Sequence, residues 1–129
     1  MQALIDYLRN KPEAEETYPF GPEPRVYKVQ NKMFALLTRH DGKDLLNLKC
    51  PPDHAIELRD IFPAVIPAWH MNKKHWNSVI LDGSLPAGEI ERLIDLSYAI
   101  VVQGMTQKVR AGLEARHGST VIYQGLLPN

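Results

Sequence analysis

The residues best suited to chemistry are concentrated in one stretch, Pro67 to Gly83, which reads Pro-Ala-Trp-His-Met-Asn-Lys-Lys-His-Trp-Asn-Ser-Val-Ile-Leu-Asp-Gly. Both tryptophans of the chain, Trp69 and Trp76, lie in it. Lys73 and Lys74 offer cations for phosphate oxygens, Asn72 an amide, and the indoles flat surfaces on which bases stack. His70 and His75 add imidazoles, which change charge near neutral pH. A structural reading competes with this one: the tryptophans as core anchors, Asn72 bonding its own backbone, and the two lysines on a solvated turn. Arg25, Lys28, Arg39 and Lys49 lie on or beside predicted strands. They either extend a basic surface around Lys73 and Lys74 or protect exposed strand edges from aggregation. The candidate nucleic-acid-binding set is His70, Asn72, Lys73, Lys74, His75, Trp76, Arg39 and Lys49.

Other chemistries find little support. His70 and His75 share a turn and His54 lies in another element, so the spacing matches no recognised zinc pattern, and no metal site or cofactor is predicted. Ser78, Ser84 and Ser97 stand in no Gly-x-Ser-x-Gly context. Cys50 precedes two prolines with no histidine nearby in sequence, and reads as a buried strand end. Gly83 and Gly88 belong to a turn and a helix start rather than to a phosphate loop. No catalytic constellation is visible, and the chain is expected not to be an enzyme.

Fifteen basic and fifteen acidic side chains balance to a formal net charge of zero over 129 residues. Proteins that bind nucleic acid through an extended surface usually carry a basic excess, so binding here must rest on a local patch. The single cysteine forms no internal disulfide, which suits a reducing compartment. The first residues carry Asp6 inside their apolar stretch and lack the pattern of a secretory signal, and no run of about 18 apolar residues occurs. A cytoplasmic protein without a membrane span is expected.

The elements that must position these residues follow from periodicity. Leu4, Ile5 and Leu8 predict a short helix ending near Asn10, because Pro12 disfavours helical geometry at Lys11. Pro12 to Pro24, rich in Glu, Pro and Gly, reads as an irregular loop. Alternation from Arg25, a turn at Asn31-Lys32, the apolar run from Met33 to Leu37, and Asp41-Gly42 before Leu45 to Cys50 predict three consecutive antiparallel strands. Ala55, Leu58, Ile61 and Phe62 predict a second helix behind Pro52 that stops before Pro63. Val65 to His70 and Trp76 to Leu81 read as two further strands. Ile90, Leu93, Ile94, Ser97, Ile100 and Val101 mark one face of a long helix, broken near Gly104, and Thr106 caps a last helix over Val109 and Leu113. The order α-β-β-β-α-β-β-α-α, with strands grouped, predicts an α+β domain whose mostly antiparallel sheet of about five strands carries helices on one face. Residues 1–117 form one domain in this reading. Residues 118–129 are a C-terminal extension that adds an edge strand or packs on a partner chain.

Three motifs, Trp69-His-Met-Asn-Lys-Lys-His-Trp76-Asn-Ser-Val, Leu81-Asp-Gly-Ser-Leu-Pro86 and Ile94-Asp-Leu-Ser-Tyr98, resemble the YjbR family, also called MmcQ-like, over roughly residues 1 to 116. The resemblance implies a compact fold similar to frataxin-like proteins and secretion chaperones. It also implies DNA as the partner most often named for such proteins, with paired hairpins as wings, and brings no established catalytic residues. Asp95 and Tyr98 stand one helical turn apart in the third motif, so Asp95 is expected to hold a partner in the Pro67 to Gly83 region. The leading expectation is a binding module that engages DNA through a basic hairpin. The alternative is a protein-interaction or chaperone-like module, using the apolar tail and a sheet edge to engage another polypeptide or a second copy.

Overall fold

A computed structural model of the chain describes residues 1–127. Helix α1 spans Gln2–Arg9 and buries Ile5 and Leu8, one turn apart on its inner side. It stops at Asn10, as the proline at position 12 requires. The stretch expected to be an irregular loop contains strand β1, Ala14–Thr17, paired antiparallel with the second strand from Ala14↔Val29 to Thr17↔Val26. Its composition hid it. Glutamate is a poor strand former, and this edge strand is held by side-chain contacts that no local pattern reveals. Glu16 accepts hydrogen bonds from Arg9 through Nε at 2.9 Å and Nη2 at 2.8 Å, and from the hydroxyls of Tyr18 and Tyr27, each at 2.7 Å.

Strands β2 (Arg25–Val29), β3 (Lys32–His40) and β4 (Lys43–Lys49) form two tight hairpins. Their turns are Gln30-Asn31 and Asp41-Gly42, and all four residues have positive φ, the geometry that matches the twist of the flanking strands. Helix α2, Pro52–Ile61, begins on proline and buries Ala55 and Leu58. Strands β5 (Val65–Pro67) and β6 (Trp76–Ile80) complete a six-stranded antiparallel sheet ordered β1-β2-β3-β4-β6-β5. The α+β expectation holds, with one strand more than the sequence suggested. Strand β5 is shorter than expected, because the chain leaves the ladder after Pro67.

Helix α3, Ala87–Gln103, lies over β3 and β4 and carries the main core contacts. Leu93, Ile94, Tyr98, Val101 and Val102 pack there against Phe34, Leu46 and Leu48. The register slips between Tyr27 and Lys28, leaving Phe34 as the extra residue of β3. A bulge of this kind takes a carbonyl out of the ladder. The carbonyl of Phe34 accepts a 2.6 Å bond from the Ser97 hydroxyl, which in turn accepts the Lys49 N–H at 2.8 Å. Ser97 thus repairs two backbone groups at once.

Among the described residues, one ion pair is buried. Lys11 Nζ lies 2.9 Å from Asp95 Oδ1, with the two side chains 7% and 8% exposed. The Tyr7 hydroxyl donates to the same carboxylate at 2.8 and 2.9 Å, and Lys11 sits 4.9 Å above the Tyr98 ring. The Tyr98 hydroxyl donates to the Pro12 carbonyl at 2.7 Å. Asp95 therefore fastens the end of α1 to α3, which corrects the expectation that its partner lies between Pro67 and Gly83.

Helix α4, Gln107–His117, is capped by the Thr106 hydroxyl, which accepts the Val109 N–H, and it buries Leu113. Residues 119–127 neither extend the sheet nor stand free. Ser119–Ile122 form a short helix α5 and Gln124–Leu126 a single 3-10 turn, which packs on α3 with Ile122 fully buried. Gly125 sits so close to α3 that an added Cβ would collide with the peptide between Asp95 and Leu96. Only glycine fits there. The remainder of the tail, for which an edge strand or partner contact was expected, lies outside the described residues.

Asp95→Ala strands the Lys11 ammonium in the core and is expected to cost about 3 kcal/mol in urea unfolding. Replacing both partners, as Lys11→Met with Asp95→Leu, recovers most of that loss; a double variant as unstable as the single one would show that the pair itself is not what matters. The carboxyls of Glu13 and Glu16 are both held down to about 2, Glu13 mainly by Arg116 and His117 and Glu16 mainly by Arg9. A depressed folded-state value means that these carboxylates stabilise the fold above their ordinary value of 4.5 and lose that contribution as pH falls toward 2. Glu16→Gln should therefore lower stability at neutral pH and flatten its decline below pH about 4, read by denaturant melts across pH.

Candidate functional site

Alternation along the strands divides the sheet into two faces. Tyr27, Val29, Leu46, Leu48, Val65 and Val79 belong to the core under the helices. Val26, Leu36, Thr38, Asn47 and Ser78 alternate with residues of that face, and point to the other side of the sheet. Among the described residues, no helix covers that side. It is crossed by the segments around residues 19–24 and 68–71, and between them lies a groove of about 700 Å³. Phe20, Val26, Lys28, Leu36, Trp69 and His70 are among its walls, together with Arg39 and Glu23.

Trp69 is held at this face through both of its backbone groups. Its N–H donates to Ser78 Oγ at 3.0 Å and its carbonyl accepts from Asn47 Nδ2 at 3.1 Å. The Ser78 hydroxyl donates to Asn47 Oδ1 at 2.5 Å, closing the set. Asn47 and Ser78 are register partners on adjacent strands and both are fully buried. After Pro67 ends β5, two side chains thus take over the bonding that a sheet ladder would otherwise supply to Trp69. The indole stacks on His40 at a centroid distance of 4.3 Å and an interplanar angle of 28°, while His70 meets it edge-on at 4.1 Å. His70 has φ of +56°, which turns the chain sharply after the tryptophan.

The predicted site residues divide among three places. Arg39 and His70 line the groove, Arg39 being tied to Asp44 at 3.3 Å and to the Gly42 carbonyl at 3.2 Å. Asn72, Lys73 and Lys74 form a turn in which Asn72 Oδ1 accepts the Lys74 N–H at 2.9 Å, the self-bonding role that the asparagine side chain favours. Both lysine side chains are exposed. The Asn72 carbonyl also accepts the N–H groups of His75 and Trp76, and the His75 carbonyl accepts that of Cys50. Lys49 and Trp76 are register partners at the strand ends, and line a separate shallow recess with Met33 and Val101. Met33 borders both the recess and the groove.

Sequence reasoning left Trp69 open between a core anchor and a stacking surface, and did not select Phe20, His40, Asn47 or Ser78. The available signal was an aromatic residue inside a proline-rich segment, Pro19-Phe-Gly-Pro-Glu-Pro24. Asn47 and Ser78 carry no local signal, since their role depends on two strands distant in sequence. Cys50 is buried and burial pushes its thiol up to about 11, which keeps it an unreactive thiol. Among the described residues, no helix is long and apolar enough to cross a membrane.

An open antiparallel sheet with helices on one side and an aromatic groove on the other defines a small α+β domain built around a surface recess. The chain belongs to the YjbR family, whose model matches residues 9–100. The Escherichia coli protein YjbR is 35% identical over 107 residues, covering 83% of this chain and 91% of that protein. YyaQ of Bacillus subtilis is 44% identical over 109 residues, covering 74% of this chain and 92% of its own length. Both carry names that describe them as uncharacterized. A crystal structure of a Deinococcus radiodurans protein with a DUF419 domain superposes with a TM-score of 0.79 at 36% identity, covering 87% of this chain and 86% of that one. A Pseudomonas syringae protein superposes with a TM-score of 0.70 at 33% identity, covering 78% and 97%.

Asn47→Ala removes the acceptor of the Ser78 hydroxyl and the donor to Trp69. It is expected to cost about 1 to 3 kcal/mol, the range for leaving a buried polar group unsatisfied. In a Trp76→Phe background the remaining indole should gain mobility, seen as lower fluorescence anisotropy, and Ser78→Ala should do the same. Unchanged anisotropy in both variants would show that Trp69 is held by packing alone.

Proposed function

We propose that the protein is a binding module whose ligand surface is the helix-free face of the sheet, and that the ligand is single-stranded nucleic acid. The observation that carries this reading is the Trp69 platform, an indole fixed through both of its backbone groups at the edge of an open apolar groove. His40 stacks on the indole and His70 meets it edge-on, so a base would meet the aromatic cluster at its border with the apolar groove floor of Val26 and Leu36. Lys28 in the groove and Lys73 and Lys74 on the exposed turn are available for phosphate oxygens. With no net charge overall, apolar contact in the groove rather than a long electrostatic track must supply much of the affinity.

A polypeptide partner is the second reading. It is favoured by Ile56 and Ile61 on the outer side of α2, 50% and 65% exposed, and by Val121, Leu126 and Leu127 near the C-terminus, all exposed. In that case, mass would rise with protein concentration and oligonucleotides would not compete.

Fluorescence anisotropy with labelled single- and double-stranded DNA across a salt series separates the two. Three phosphate contacts predict a slope of about −2 in log K against log salt for a single strand, and Lys73→Ala with Lys74→Ala should make it shallower. Affinity that is flat in salt, or no binding at low salt, would remove the nucleic-acid reading.

A further inference from the structure

We infer that the recess at the end of the sheet is a nucleotide subsite, in which Trp76 stacks one base and Lys32 and Lys49 hold the phosphate beside it. The strand form of this site, one nucleotide within a longer chain, rests on the nucleic-acid reading above. Antiparallel register brings the residues together. Lys28 is paired with Met33 and Val29 with Lys32 across the first hairpin, and Lys49 is paired with Trp76. The end of β4 and the starts of β3 and β6 therefore share one end of the sheet. There Lys32, Met33, Lys49 and Trp76 meet Val101 and Met105 around a recess of about 370 Å³. Sites for small organic ligands span roughly 300 to 1,000 Å³.

The charge at this end is uncompensated. Elsewhere the protein's bases engage its own acids, as Arg9 does Glu16, Arg39 does Asp44 and Arg116 does Glu13. Lys28, Lys32, Lys49, Lys73 and Lys74, in contrast, form no ion pair among the described residues, and no acid lines the recess. The two indoles differ in the same way. Trp69 has His40 and His70 against its ring, whereas Trp76 is half-buried, borders the recess and makes no ring contact among the described residues. Its backbone is fixed, by the ladder with β4 and by its N–H, which donates to the Asn72 carbonyl at 3.0 Å. Arg59 ties down the turn before it, donating to the Lys73 carbonyl at 3.4 Å and to Asn77 Oδ1 at 2.8 Å. Met33 borders both the recess and the groove, so a single strand lying in the groove reaches Trp76 without leaving the surface.

The neighbouring helix end orients the ligand. The last carbonyls of α3 accept the N–H groups of Gly104 and Met105, and a helix C-terminus carries the negative end of the dipole, which repels phosphate. The phosphate therefore lies toward Lys32 and Lys49, and the uncharged base toward Trp76 and the helix. The thioethers of Met33 and Met105 adapt to flat groups of different outline, so little preference among bases follows.

The test uses the full chain with Trp69→Phe, which leaves Trp76 as the reporting indole, titrated with a short oligothymidylate and with thymidine monophosphate. Both should quench its emission, the strand at lower concentration. In anisotropy of a labelled strand, Trp76→Leu should weaken binding about tenfold and Trp76→Phe should keep most of it. Lys32→Ala with Lys49→Ala, two changes outside the core, should leave the urea midpoint unchanged and abolish quenching by the mononucleotide. The same pair should make the strand's salt slope shallower by about 0.7, the share of one phosphate. Salt-dependent strand binding without quenching of Trp76, or with the double lysine variant at wild-type affinity, would overturn the subsite and leave the nucleic-acid reading in place. Quenching by thymidine monophosphate with no strand binding at low salt would keep the subsite for a free nucleotide and remove the strand. No response to either ligand would overturn both.

Discussion

The buried pair between Lys11 and Asp95 is the constraint on which the architecture depends. Two charges withdrawn from water must satisfy each other, and the low dielectric around them makes both their attraction and any mismatch expensive. Asp95 stands in the middle of the long helix that covers the sheet, so whatever pairs with it fixes that helix in register. Lys11 does so from the end of the first helix, Tyr7 adds a second donor, and Tyr98 reaches back to the Pro12 carbonyl. Gly125 then closes the far side of the same turn. N-terminus, central helix and C-terminal turn meet at one carboxylate.

On the other side of the sheet, polar side chains do a different task. Asn47 and Ser78 are fully buried, yet neither takes part in the hydrophobic core. They carry hydrogen bonds to a tryptophan whose strand has ended one turn too early to be paired by backbone. The arrangement explains how a residue beyond the end of its strand is held: its backbone is anchored by two side chains and its ring packs against His40 and His70.

The charged groups also divide by side. Glu13, just before the first strand, and Glu16 within it link that edge of the sheet to α4 through Arg116 and to α1 through Arg9, where they act as structural ties. Around the groove, in contrast, Lys28 and His70 border an apolar floor. A formal balance of fifteen against fifteen therefore conceals a surface in which many of the acids are already engaged by the protein's own bases.

Much of the fold was legible from residue order. The two hairpins followed from Asn31 and Asp41-Gly42, the first helix stopped where Pro12 demanded, and the face of α3 followed from the spacing of Leu93, Ile94, Ser97 and Val101. These are local properties, set by backbone sterics and by side-chain period. The strand at Ala14–Thr17, the docking of residues 119–127 on α3, and the partners of Asp95 were not legible, because each is settled by contacts between segments far apart in the chain. The candidate site shows the same division. Sequence alone singled out Trp69 to Trp76 as unusual and determined the Asn72 turn. The tertiary structure decided that Lys49 and Trp76 lie apart from Arg39 and His70, and that Phe20 shares a groove with Trp69. The reason is physical: turn chemistry is encoded within a few residues, whereas a binding surface is a meeting of strands whose register no short segment contains.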